Sequence, residues 1–225
     1  MMNELKLSFQ MMKYAYGIKM NMVACGIMLL LGWTLEIITH GTSWVWGIFI
    51  LAAPIYGVQF LYCTSLSDMV VSSPYRKRLQ TSMPAMITFI SNLPIFTLEV
   101  IFRMICIRNY PQDEEKILLG LLVMSLMNLM FGIYVALAFK YFVASMVIIM
   151  VVSSIIGMLI SMIRIFGEEY TEILHGLWFM NQGTVIGIAY FMVCLTAAAQ
   201  YLVSLAIHKK PLSKRAQGAS MKKYL

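Results

Sequence analysis

Charged residues are scarce in this sequence. They make up 12% of 225 positions, whereas hydrophobic residues make up 60%. An average soluble domain is about a quarter charged. A chain with so little charge cannot cover itself with polar surface in water, so lipid is expected to cover it. Six membrane crossings leave no length for a separate soluble catalytic domain. Cysteine is also sparse. The four cysteines, Cys25, Cys63, Cys106 and Cys194, form no CxxC pair. They read as small apolar packing residues and imply neither a disulfide frame nor a zinc site. Catalytic motifs are missing too. Without a GxxxxGK phosphate loop the chain cannot hydrolyse ATP through that motif. Without HExxH, GxSxG or paired intramembrane aspartates, a protease or hydrolase reading has little support, and no metal site or cofactor is expected in the chain itself. No cleavable signal peptide is read, because the N-terminus is polar and amphipathic and the first apolar run is long enough to span.

Long apolar runs are abundant. Six are read as spans, at Met20–Thr39, Trp44–Leu66, Pro84–Ile105, Ile117–Phe139, Tyr141–Ile163 and Thr184–Ile207. A helix needs about 20 apolar residues to cross the hydrocarbon. At that length only a helix satisfies its own backbone groups, and no run alternates like a barrel strand. The expected fold class is therefore an all-α membrane protein of six transmembrane helices.

The net charge of +7 raises the question of nucleic acid, but its distribution argues for topology instead. Lys6, Lys13, Lys19, Arg76, Lys77, Arg78, Lys140, Lys209, Lys210, Lys214, Arg215, Lys222 and Lys223 fall on one side of the predicted membrane. Only Arg103, Arg108, Lys116 and Arg164 fall on the other, where Asp113, Glu114, Glu115, Glu168, Glu169 and Glu172 gather. The basic side is expected to be cytoplasmic, so both termini lie there and the chain is placed in the cell membrane as a multi-pass protein. Residues 1–19 carry Leu5, Phe9, Met12 and Tyr16 at helical spacing, with Lys6, Gln10 and Lys13 on a neighbouring face. They read as an amphipathic interfacial helix on the cytoplasmic leaflet. Residues 208–225 read as a basic tail near anionic lipid.

The loop Ser67–Met83 is the most informative stretch outside the spans. Ser73 is expected to cap a short helix with Pro74 at its first position. That helix would carry Tyr75, Arg76, Lys77, Arg78 and Leu79. Tyr75 and Leu79 are four apart and are expected to share a face. One aromatic, one aliphatic and three cations suit docking on a soluble partner, although basic residues in this loop also serve as a topology signal.

Polar residues within the spans form a second set of candidates. Glu99 and Arg103 are four apart and are expected to pair near the outer end of the third span, either as a structural ion pair or as lining for a path. Glu36, a third outer polar candidate, is expected to snorkel to the interface at the outer end of the first span, with a proton relay as the alternative. Asn92, Ser125, Asn128, Ser153 and Ser154 are expected to make helix–helix contacts, and Gly183 with Gly187 forms a GxxxG spacing at the start of the sixth span. Trp44, Trp46 and Trp178 lie where an aromatic belt is expected. The outer connection Phe166–Gly183, with Glu168, Glu169 and Trp178, mixes acidic and apolar residues as a re-entrant or interfacial stretch would.

The order of these parts resembles the permease subunit of type-2 ATP-binding-cassette exporters. The local likeness is Met69-Val-Val-Ser-Ser-Pro-Tyr-Arg-Lys-Arg-Leu-Gln-Thr, which is similar to the family's coupling-helix loop between spans two and three. The resemblance implies that residues 1–19 form the family's elbow helix and that Ser73–Leu79 dock on a separate ATPase subunit. ATP and magnesium would be bound by that partner. It also implies a second permease copy or a related permease, and outward transport of an amphipathic or antimicrobial peptide or a lipid-like substrate. A non-transporting membrane assembly protein and, behind it, a secondary transporter are the alternatives.

Overall fold

The structure, a computed structural model, describes residues 18–64, 74–165 and 181–209. Those residues are helical apart from short turns and connections, with no strand among them. In chain order the helices are α1 (Ile18–Ile38), α2 (Trp44–Thr64), the short α3 (Arg76–Gln80), α4 (Ser82–Asn109), a 3-10 turn at Pro111–Asp113, α5 (Glu114–Ile165) and α6 (Gln182–Ile207). The proposed interfacial helix before Ile18, Ser73, the stretch with Glu168, Glu169 and Trp178, and the basic tail after Lys209 lie outside the described residues.

Three helical stretches are long and apolar enough to cross a membrane: Ser82–Asn109, Pro111–Ala138 and Gln182–Ile207. Shorter apolar stretches lie at Met22–Ile38, Trp44–Ile55 and Val147–Met158. Helix α5 runs for 52 residues but is broken at Tyr141, whose φ of −125° and ψ of 52° are not helical. The break falls between the fourth and fifth predicted spans. It leaves a first arm before Tyr141 and a second arm after it.

α2 occupies the middle of the bundle. It packs against α1, α4 and the α5 chain, and Ile50, Leu51, Ala52, Ala53, Ile55 and Val58 are all buried. A helix apolar on every side is stable only when other helices or lipid surround it. The periphery is apolar in the opposite sense. Leu30 of α1, Met158 of the second arm of α5 and Phe191 of α6 are each at least 60% exposed. Water would make that surface costly, and hydrocarbon would not.

α1 ends in a turn that directs the site. Gly41 N–H donates to the Glu36 carbonyl at 3.1 Å and His40 N–H to the Ile37 carbonyl at 3.2 Å. This is the paired pattern that closes a helix C-terminus through a left-handed residue. His40 takes the left-handed position at φ 52°, with Gly41 following at φ 72°. The His40 ring lies 4.6 Å from the Tyr110 ring at the far end of α4. The turn thus brings the last turn of α1 alongside the last turn of α4.

Candidate functional site: an arginine held between two glutamates

Arg103 is a long cation in an apolar helix, and its side chain is buried to 1% exposure. A buried charge must be paired and hydrogen-bonded to be tolerated. Four bonds satisfy this one. Nε donates to Glu99 Oε1 at 2.8 Å, one turn back on α4. Nη2 donates to Glu36 Oε1 of α1 at 2.6 Å and to the Ser43 carbonyl just before α2 at 3.0 Å. Nη1 donates to the Ile117 carbonyl in α5 at 3.1 Å. One guanidinium therefore ties α1, the start of α2, α4 and α5 together at one end of the bundle. The planar fork of arginine allows this, since it spreads five N–H donors in fixed directions.

Glycines make the space. A Cβ at Gly120 would sit 2.6 Å from Nη1 of Arg103. One at Gly47 would sit 3.2 Å from Nη2 and 3.3 Å from Glu99 Oε1, and would also meet Met124 Sδ. Below the cluster, Leu51, Phe96, Val100, Leu121 and Met124 form a dry core with Val193. Above it, Cys106, Ile107 and Ile117 form another.

The structure brings Glu99 and Arg103 together as the spacing predicts, and adds Glu36, an outer polar candidate at the same end that the sequence had pointed toward the interface. Glu36 does not snorkel. It is fully buried, because the turn at His40 and Gly41 sets it opposite Arg103 and a charged partner there outweighs exposure to a headgroup layer. No sequence periodicity links positions 36 and 103. The signal available was an acid near the outer end of one span and a basic residue at the same predicted depth in another.

Deeper in the bundle a neutral polar chain crosses three helices. Asn92 Nδ2 of α4 donates to Asn128 Oδ1 of α5 at 3.0 Å, and Asn128 Nδ2 donates to Thr196 Oγ1 of α6 at 3.3 Å. A Cβ at Gly132 would meet Thr196 Cγ2, so this glycine lets α5 and α6 approach. Tyr190 donates to Thr97 Oγ1 at 3.2 Å. Asn92 and Asn128 make the helix–helix contact expected of them. The serines differ. Ser125 and Ser153 donate to carbonyls of their own helix, Leu122 and Met150, which satisfies a hydroxyl without a neighbour. The Gly183–Gly187 spacing also fails as a packing site within the chain, since a Cβ at either position meets nothing within 4 Å. The glycines that allow close approach are Gly32, Gly47, Gly120 and Gly132.

At the opposite end, Lys140 is buried and donates to the Ile207 carbonyl and, at 2.8 Å, to the His208 carbonyl. It caps the C-terminus of α6, where a cation complements the helix dipole. The sequence reading took it as a topology charge only.

The segment expected to dock contains a short helix, with two corrections. α3 starts at Arg76 with Tyr75 as its N-cap and no side-chain cap, so Pro74 lies one residue before the cap and not at the first helical position. Tyr75 and Leu79 also do not share an exposed face. Tyr75 is half exposed, whereas Leu79 is buried in a cluster with Ile55, Val58, Met83, Ile87 and Val135. Adding an apolar residue to a dry core is worth more than presenting it to water. Lys77 and Arg78 are exposed and Arg76 is half-buried.

Among the described residues no three His, Cys, Asp or Glu side chains are arranged to hold a metal ion. No protein-family model, curated protein or solved structure matches the chain.

Proposed function

We propose that this chain is the transmembrane permease subunit of an ATP-driven exporter, powered by a separate ATPase subunit. In this reading it crosses the cell membrane six times, with the Lys140 end of the bundle in the cytoplasm and the Arg103 end outside. A second permease copy completes the pathway. The cargo is an amphipathic or antimicrobial peptide or a lipid-like molecule, and nucleic acid is not a partner.

The observation that carries the reading is α3. A five-residue helix stands between α2 and α4 on the basic side, rooted in the bundle by Leu79 and presenting Tyr75, Lys77 and Arg78. The rooting supplies a physical route for coupling. Leu79 contacts a cluster contributed by α2, α4 and α5, and packed cores move as discrete units instead of deforming smoothly. A force applied to α3 by a partner would therefore reach the helices that Arg103 joins at the far end. The permease does no covalent chemistry. Its work is to expose one pathway to two sides in turn, driven by the partner's two states.

The test is co-purification with a phosphate-loop ATPase, followed by ATP hydrolysis in reconstituted lipid. Tyr75→Ala combined with Lys77→Gln and Arg78→Gln should weaken the association and make it strongly salt-dependent. A variant that binds and stimulates the ATPase like the parent would remove the support. A non-transporting assembly protein is the second reading. It is favoured by the way the interior polar groups close on one another, and it is the reading that stands if no ATPase associates.

A further inference from the structure

We propose that Glu36 and Glu99 hold one proton between them, making their buried cluster with Arg103 electrically neutral. The inference does not depend on the exporter reading.

Three observations carry it. The first is charge balance. Two carboxylates, both fully buried, face one guanidinium. Among the described residues Arg103 is the only basic side chain within ion-pair distance of either acid. The other groups around the cluster bring no second cation: α2 contributes Gly47 and the Ser43 carbonyl before it, α4 contributes Cys106, and α5 contributes the Ile117 carbonyl, Gly120 and Met124. Two ionised acids would leave a net negative charge in a buried site, which is strongly disfavoured.

The second is the geometry of the guanidinium. Nε and Nη2 lie side by side on one edge, the edge that usually takes both oxygens of a single carboxylate. Here each nitrogen takes an oxygen from a different acid. The two acceptors are therefore held next to one another on that edge. Two anionic oxygens at that separation repel, and a single proton between the groups turns the contact into a hydrogen bond.

The third is the pair of oxygens left over. Glu36 Oε2 and Glu99 Oε2 are both buried, and among the described residues neither has a hydrogen-bond donor. Buried polar atoms in native structures are almost always satisfied. A carboxyl proton supplies a missing donor without any additional side chain. The site is thus a proton-binding site at the junction of α1 and α4.

The experiment is infrared spectroscopy of the full chain in lipid, with carbon-13 in the glutamate carboxyl groups. The parent should show the C=O stretch of one protonated carboxyl group. That band should vanish in Glu36→Gln and also in Glu99→Gln, because the remaining acid then pairs with Arg103 as an anion while the new amide donates to it. No protonated band in the parent means that both acids are ionised and overturns the proposal. A band that survives either substitution overturns it as well, because the proton is then not shared. The parent spectrum alone is decisive should a variant fail to fold. Replacing sodium by choline at constant ionic strength should leave the thermal midpoint unchanged. A midpoint that falls on sodium withdrawal would assign the site to a metal cation instead.

Discussion

Gly120 faces the guanidinium of Arg103 so closely that a Cβ at this position would lie 2.6 Å from Nη1. Arg103 cannot retreat from it, because its other nitrogens are held by Glu36, Glu99 and the Ser43 carbonyl. Gly120→Ala should therefore lower stability by about 1–3 kcal/mol, the usual range for overfilling a packed interior. Gly183→Ala, where nothing lies within 4 Å, should be neutral or slightly stabilising through helix propensity. Thermal midpoints in one detergent compare the two. Equal effects would mean that the Gly120 contact is not close in solution.

Removing the cation should cost far more than removing either acid. Arg103→Met leaves two carboxyl groups and two backbone carbonyls without their donor, and breaking a buried pair this way costs about 3–5 kcal/mol. Arg103→Lys should recover only part of that loss, since an ammonium cannot reach four acceptors on three sides of a plane. In a cycle of Glu99→Gln, Arg103→Gln and the double substitution, stability effects should be non-additive. Simple addition would show that the two side chains are uncoupled.

Leu79 and Tyr75 should separate stability from docking. Leu79→Ala opens a hole in the cluster shared with Ile55, Val58 and Val135 and should cost about 2–5 kcal/mol. Tyr75→Ala, at a half-exposed position, should leave the thermal midpoint near the parent's while reducing stimulation of the proposed ATPase partner. If Leu79→Ala leaves stability untouched, α3 is not rooted as described.

Lys140→Met should fray the end of α6. It removes the donor to the Ile207 and His208 carbonyls, and a cation in a partly buried position at a helix C-terminus contributes up to about 2 kcal/mol. Amide exchange should quicken in the last turn of α6 and stay unchanged around Asn92 and Asn128.

The proposed six-crossing topology puts the turn at Thr42 and the 3-10 turn at Gln112 outside. In a background with Cys25, Cys63, Cys106 and Cys194 replaced, Thr42→Cys and Gln112→Cys should react with an impermeant thiol reagent from outside. Ser213→Cys should react only from inside. Labelling of the latter from outside would break the topology.

Helix content and the apolar runs were legible in the sequence because they are properties of a segment taken alone. Hydrophobic length and local backbone hydrogen bonding act over neighbours a few residues apart, so α4, the first arm of α5 and α6 follow from composition and run length. The break at Tyr141 fell where two runs met for the same reason. The Glu99–Arg103 pair was legible because four residues on a helix always share a face.

Tertiary structure alone decided which distant groups became partners. Glu36 joins Arg103, Lys140 closes α6, and Leu79 turns into the bundle because chain segments from elsewhere fill the space beside them. Glycine makes the same point. The pair with the recognisable spacing, Gly183 and Gly187, has open space on both sides, whereas Gly47 and Gly120 stand where a guanidinium must fit. A spacing motif describes one helix surface, but close approach is a property of two surfaces. Which surfaces meet depends on the packing of the whole bundle.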